Sequence, residues 1–392
     1  MRTPVIVVAG QGQTAAVVDE LCRVPGTILV EHRFDGHVVR RRTVTGAGHV
    51  AEAALELAHG CVSCTIRNDL LVYLRLLHRR DDVSRIVVYL APWLEPEPIC
   101  WAINHVTVRV GPGYIEGPAA RDVVIAGVVT CIDASSWLPQ ALGYDELADG
   151  RTVAQVVVGQ VEFTDVLVMS EVDPMLLAVC QRLSPRAAVL DAGESVDVAL
   201  RQLRPGARRG GDSDPHASLL AGQPDLRSAG PVQIVEFGAR RPFHPQRLHD
   251  AVDQLLDGVV RTRGRLWLAN RPDHVMWLES AGGGLRVSNA GRWIAAMAPG
   301  DAAYLSSERR AFADLMWDTN FGDRHTSMAV LVCGARAEDV LSVLDSALLT
   351  DDEFARREAW AYYPDPFGDW HEEPCGTGRD ALRGPNTDHG SA

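Results

Sequence analysis

Two cysteines three residues apart, Cys61 and Cys64, lie in the stretch HGCVSCTIRNDLLVYLRLL, and His59 stands two residues ahead of the first. Paired thiols at this spacing support three chemistries: binding of zinc or a similar soft metal, thiol redox exchange, or packing as small apolar residues. Zinc takes four ligands, so two sulfurs and the His59 imidazole leave one position for another residue, water or a partner protein. From Thr65 onward Ile66, Leu70, Leu71, Leu74 and Leu77 recur at helical spacing. The cysteines therefore sit at a helix entrance, where N–H donors and a partial positive charge favour a thiolate. A thioredoxin-like role is disfavoured, because the pair does not directly follow a strand pattern.

A second candidate is GQGQT, Gly10 to Thr14, a Gly-rich turn between an apolar run and a helical pattern. Backbone N–H groups at such a turn can face a phosphate. The working phosphate loop has four residues between its glycines, then Lys and Ser/Thr. This turn has only Gln11 between Gly10 and Gly12, with Gln13 in the lysine place and Thr14 in the hydroxyl place. The chain contains no lysine at all, so its 38 basic residues are all arginine and no other loop can lend an ammonium. Chemistry that requires a lysine is excluded.

The elements that must position these residues follow from the apolar pattern. Residues 4–10, 27–32, 85–91, 123–133, 165–172 and 187–192 read as strands, the longer runs being continuously apolar, and helical stretches alternate with them. Residues 49–59 and 66–78 read as helices. This is the signature of βαβ units: a mostly parallel sheet with helices on both faces. Residues 205–231, rich in Gly, Pro, Ser and Asp, read as a flexible linker. Beyond it, strand patterns at 232–238, 264–270, 274–280, 284–289 and 327–334, with helices at 245–256 and 337–349, predict a smaller α+β domain over 232–370. The first domain spans 1–204, and 371–392 reads as a disordered tail.

Composition narrows the function classes. With 392 residues, 46% hydrophobic content and a formal charge of −13, the chain is globular and acidic, unsuited to coating DNA. The start carries no secretory pattern, and no run is long and apolar enough to cross a membrane. The expected location is the reducing cytoplasm, where a paired-cysteine motif points to metal or redox chemistry. Cys131, Cys180 and Cys333, lying in apolar runs, read as core residues.

The stretch ELAHGCVSCTIRNDLL resembles the signature of the CobW family of metal-handling P-loop GTPases, which carries Gly-Cys-x-Cys-Cys followed by Thr and a helix. Gly60, Cys61 and Cys64 match it, and Ser63 replaces the middle cysteine. RPFHPQRLHDAVD (241–253), VVRTRGRLWLANRP (259–272), WDTNFGDRHTSMAVLVCG (317–334) and DDEFARREAW with PDPF (351–367) resemble parts of that family's C-terminal domain. The resemblance covers about residues 4–370 and implies a P-loop-NTPase-like α/β domain followed by a CobW-type one. Three nucleotide motifs depart from the family. The Gly10–Thr14 turn is short. The magnesium-side Glu-x-x-Gly reads Tyr89, Leu90, Ala91, Pro92. The guanine motif Asn-Lys-x-Asp reads Ser170, Glu171, Val172, Asp173, with only Asp173 retained. GTP hydrolysis in the family's manner is therefore not expected. The resemblance, to a degenerate actinobacterial branch, implies zinc handling in zinc-limited cells, with the ribosome and a hibernation factor as partners.

Other candidates read as structural. His32, Asp35, His37 and Arg40–Arg42 suit a solvated loop and strand. The arginine pairs 79–80, 208–209, 240–241, 309–310 and 356–357 suit ordinary surface charge. His325 suits a structural role, and Trp267, Trp277, Trp293 and Trp317 suit a C-domain core rather than a base-stacking platform. His371, Cys375 and His389 lie in the tail, which argues against a rigid metal site.

Overall fold

The computed structural model describes residues 1–368 apart from Ala47, Ala192, 208–209 and 212–215; of His59, Asp253, Gln254 and Pro299 it describes the backbone alone. Eight strands form the first sheet: β1 (Thr3–Gly10), β2 (Thr27–Phe34), β3 (Val39–Thr45), β4 (Val50–Leu55), β5 (Arg85–Tyr89), β6 (Val123–Ile132), β7 (Val166–Met169) and β8 (Ala188–Asp191). Their order is β4-β3-β2-β5-β1-β6-β7-β8. From β2 to β8 every pairing is parallel, while β3 and β4 add an antiparallel hairpin at one edge.

Strands covered on both faces explain the continuously apolar runs. Val5, Val7 and Ala9 of β1 face the layer holding helices α2 (Val62–His78) and α3 (Pro96–His105), whereas Ile6 and Val8 face α1 (Thr14–Cys22) and α7 (Val196–Gln202). Between α3 and α7 in the chain lie α4 (Trp137–Ala141), α5 (Val153–Glu162) and α6 (Pro174–Leu183). On α2 the expected stripe is realised: Ile66, Leu70, Leu71, Leu74 and Leu77 are all at 1% exposure or less. Each such side chain stabilises the packed helix by about 1.5–3 kcal/mol relative to exposure.

One expectation fails. Residues 49–59, read as a helix, form β4 over Val50–Leu55 and then a single 3-10 turn, Ala58–Gly60. The segment AEAALEL has helix-forming side chains, but β3 offers an open edge that pairs Val44 with Val50 through Val39 with Leu55. Tertiary pairing overrides local propensity there.

A second sheet has the order β12-β11-β10-β13-β9 and is antiparallel throughout. Its strands are β9 (Val232–Ala239), β10 (Val259–Leu266), β11 (His274–Ala281), β12 (Gly284–Arg292) and β13 (Thr326–Cys333). One face packs on α5 and α6: Val232, Ile234, Val260, Ala281, Ala329 and Leu331 share a core with Val157, Val161 and Leu176. Leu219, inside the 205–231 segment, is buried in the same core. The opposite face is covered by the helices Pro245–Asp250 and Ala337–Ala347. Among the described residues no helix is long and apolar enough to cross a membrane.

Candidate functional site

The chain leaves β4, makes the turn Ala58–Gly60, and enters α2 with Cys61 as the N-cap. The Cys64 amide donates to the Cys61 Sγ at 3.2 Å, so the sulfur caps the helix. An N–H aimed at sulfur suits negative charge on that sulfur. Thr65, 5% exposed, locks the turn: its Oγ1 accepts from the Ala58 amide at 2.8 Å and donates to the Cys61 carbonyl at 2.8 Å. Cys61 and Cys64 are half-buried. Of the other described thiols, Cys22 is likewise half-buried and the remaining four differ. Cys100, Cys131, Cys180 and Cys333 are buried, and burial raises all four, Cys131 to about 12. They are core residues, as the apolar contexts of Cys131, Cys180 and Cys333 suggested. The His59 side chain lies outside the described residues, so its place beside the thiols is not part of the geometry. Among the described residues no group of three or more His, Cys, Asp or Glu could hold a metal.

Since α2 precedes β5 and runs antiparallel to it, its N-terminus lies at the C-terminal edge of the parallel strands. The Gly10–Thr14 turn emerges at that edge, the usual ligand-binding edge of open α/β sheets. There it is closed onto its own sheet. The Gln11 and Gly12 amides both donate to the Cys131 carbonyl, at 3.0 and 3.1 Å. Gly10 has φ +110°, and a Cβ on it would stand 2.0 Å from that carbonyl oxygen; one on Gly12 would stand 2.6 Å from the Ile132 carbonyl carbon. The glycines thus permit close contact with β6. Gln13 precedes α1 as its N-cap without a side-chain capping bond. Thr14, 6% exposed, shares a 2.8 Å hydrogen bond with the Tyr89 hydroxyl. The hydroxyl place and the first magnesium-side place thus hold each other. At the guanine place, Asp173 Oδ1 accepts from the Leu176 amide at 2.8 Å and caps α6. Ser170 Oγ accepts from the Ala134 amide at 3.0 Å.

The segment carrying His32 and Arg40–Arg42 is the β2–β3 hairpin. Asp35 closes its turn by accepting from the His37 and Val38 amides, which with Arg40 hold its carboxyl down at about 2. His32, 4% exposed, bonds Asp69 of α2 at 2.8 Å, and Arg41 reaches the other Asp69 oxygen at 2.6 Å. Against the upward pull of burial, His32 and Arg41 keep Asp69 below the usual carboxylate range. Many of the paired arginines have internal partners: Arg80 with Asp82, Arg241 with Asp351, Arg309 with the Arg292 carbonyl, and Arg79 over the Tyr114 ring. The pair 208–209, and His371, Cys375 and His389, lie outside the described residues. His325 is buried and bonds the Asp323 carbonyl through Nδ1 at 2.8 Å, a structural placement. Trp267, Trp277 and Trp293 are core, but Trp317 is not. It follows the helix Ser307–Leu315 and is 51% exposed, because the chain turns there at the surface.

Sequence reasoning missed a charged cluster between the sheets: Glu95, Arg151, Glu162, Arg261, Arg263 and Glu279. The available signal was the Arg-x-Arg alternation in β10, which puts Arg261 and Arg263 on one face.

An α/β sheet with this edge, joined to a five-stranded antiparallel sheet, matches a known architecture. A model of the CobW/HypB/UreG nucleotide-binding domain matches residues 24–194, and one of the cobalamin synthesis protein cobW C-terminal domain matches 232–348. The chain belongs to the CobW family. It is 65% identical over 378 residues to the zinc chaperone Rv0106 of Mycobacterium tuberculosis, covering 96% of this chain and 95% of that one. It is 26% identical over 344 residues to the zinc-regulated GTPase metalloprotein activator 1 of Dictyostelium discoideum, covering 80% and 70%. A solved structure of the Zn(II)-bound YjiA GTPase from E. coli aligns over 89% of this chain and all of that one, at 12% identity and a TM-score of 0.35.

Proposed function

We propose that this chain is a non-hydrolysing, zinc-handling adaptor, with Cys61 and Cys64 as its zinc contacts. The observation that carries the reading is the α2 entrance: two half-buried cysteines three residues apart at a helix N-terminus, one sulfur already accepting a backbone N–H. That donor set fits a soft, thiophilic ion. The zinc chaperone and zinc-regulated relatives support it. Zinc is then cargo or signal, and the remaining coordination positions fall to His59, water or a partner protein.

The nucleotide side of the reading rests on the opposite kind of geometry. The Gln11, Gly12 and Thr14 amides and the Thr14 hydroxyl are engaged inside the protein, and the family match begins at residue 24, past that turn. No lysine is available to reach β- and γ-phosphates. In zinc-limited cytoplasm such a protein would work by contact, bringing a hibernation factor to the ribosome when zinc leaves the cysteines. The second reading is a GTP-dependent zinc metallochaperone, favoured by the family's nucleotide-binding domain.

Native mass spectrometry with zinc and GTP titrated separately tests both. Zinc bound by the wild type and lost in Cys61→Ser/Cys64→Ser, with no nucleotide, supports the adaptor. Saturable GTP binding makes the metallochaperone the correct account. A ribosome pull-down that responds identically to zinc in wild type and double variant removes the cysteines from the mechanism.

A further inference from the structure

A short helix is marginal in water and draws its stability from a packed face. The nine-residue helix Ser307–Leu315 buries one residue, Ala313. It is held near Ala313 and along one flank. Arg309 donates to the Arg292 carbonyl of β12 at 2.7 Å, Arg265 of β10 stands 4.7 Å over the Phe312 ring, and the Phe312 and His325 rings are 5.9 Å apart. The side turned away carries large apolar groups. Leu315 is 82% exposed, Tyr304 just before the helix is 91% exposed, and Phe312 and Trp317 are exposed as well. Four such side chains between Tyr304 and Trp317 form a patch of the kind that marks an interaction site.

The charges on this helix indicate what covers it. Each residue turns the helix by about 100°. Ala311 and Leu315 therefore stand opposite Ala313, with Phe312 on one flank and Arg310 and Asp314 on the other. Glu308 is engaged by the Ser306 and Ser307 hydroxyls, and Arg309 by Arg292. Arg310 and Asp314 are exposed, and neither forms an ion pair among the described residues. The basic member stands nearer the N-terminus and the acidic one in the last turn, against the helix dipole. In one helix that placement is unfavourable. In two such helices packed antiparallel it is complementary, because each Arg310 meets Asp314 of the other copy. The apolar groups match too, Tyr304 of one copy lying toward Leu315 and Trp317 of the other. A uniformly basic or uniformly acidic partner would instead repel one of the two spare charges.

We propose that the helix Ser307–Leu315 is the contact of a homodimer, in which two copies of this chain pack it antiparallel about a twofold axis. Such a contact is self-complementary, so one patch supplies both sides. The inference is independent of the zinc reading, since the helix belongs to the second domain and Cys61 and Cys64 take no part in it.

The test is analytical ultracentrifugation of the full chain, with a chelator present so that metal-bridged association does not contribute. The wild type should show a monomer–dimer equilibrium with a Kd of about 1–100 µM. Arg310→Asp and Asp314→Arg each set like charges against one another twice across the axis, and each should weaken the dimer by at least about tenfold. Making both changes together should return the Kd to near the wild-type value. Leu315→Glu, at an exposed position, should leave the circular dichroism unchanged and give monomer. A wild type that stays monomeric through that concentration range overturns the proposal and leaves the face to a different chain. A dimer that survives Leu315→Glu overturns it as well, and so does a double exchange no tighter than either single change.

Discussion

The Cys61 sulfur caps α2 through the Cys64 amide, and its proposed role as a zinc contact is separable from that cap. Cys61→Ser keeps an oxygen in place to accept the same amide, and serine is among the best N-cap residues. Cys61→Ala removes the cap and costs about 1 kcal/mol. Both remove the thiolate. A zinc site that loses a direct sulfur ligand suffers more than one that loses an outer-shell partner, for which about 10–100-fold is typical. Zinc affinity should therefore fall by more than about 100-fold in both variants, whereas urea unfolding should show a loss only in Cys61→Ala. Zinc affinity comes from competition with a chromogenic chelator, and stability from circular dichroism of the zinc-free protein. Zinc binding retained in Cys61→Ser would refute the site. A loss of stability in Cys61→Ser as large as in Cys61→Ala would refute the capping geometry.

Tyr89→Phe strands the Thr14 hydroxyl, which is 6% exposed, and should cost about 1 kcal/mol; isothermal titration of that variant with GTP should stay flat, since the Gln11 and Gly12 amides remain on Cys131. Arg75, 2% exposed, joins Asp122 at 2.6 Å and the Ile115 and Gly117 carbonyls at 2.8 and 3.2 Å. Arg75→Leu breaks all three bonds, leaving Asp122 and the Ile115 carbonyl without this partner, and should destabilise by about 3 kcal/mol, the low end for a broken buried pair because Asp122 retains some water contact; a urea-measured loss below about 1 kcal/mol would contradict this. A hydrogen bond from Arg247 holds Glu353 down at about 2, against partial burial. A depressed carboxylate contributes stability above its unfolded value of 4.5 and loses it as pH falls toward about 2, so melting temperature should drop over that window, less steeply in Glu353→Gln.

The layered α/β sheet was legible because burial on both faces leaves an unbroken apolar run, as in β1, and the α2 stripe shows the helical period directly. β4 was not, since Ala51, Ala53, Ala54 and Leu55 carry no strand signal of their own and owe their conformation to β3. The cysteine pair was legible as a motif at a helix entrance, but not the cap that aims the Cys64 amide at the Cys61 sulfur. The Thr14–Tyr89 bond joins positions 75 apart, and the Glu95–Arg151 pair positions 56 apart. Nothing in a local pattern announces such contacts, because they form only when β1 and β5, or α3 and α5, are brought together.

The C-terminal edge of the first sheet therefore holds two candidate sites in opposite conditions. At β1 and β5, the groups that would meet phosphate and magnesium are satisfied by one another and by β6. Admitting a triphosphate there means breaking the Thr14–Tyr89 bond and two amide bonds to Cys131, each worth about 0.5–1.5 kcal/mol net, with no lysine to compensate. At α2, the proposed zinc contacts Cys61 and Cys64 are half-buried, and one backbone amide already points at the Cys61 sulfur. The asymmetry in reorganisation favours an ion over a nucleotide as the ligand that sets this protein's state. It also gives the adaptor reading a sharp consequence. Zinc should change protection from exchange around Cys61–Thr65 at concentrations where GTP changes nothing at Gly10–Thr14, and the reverse pattern would require the nucleotide turn to open in a way its hydrogen bonds oppose.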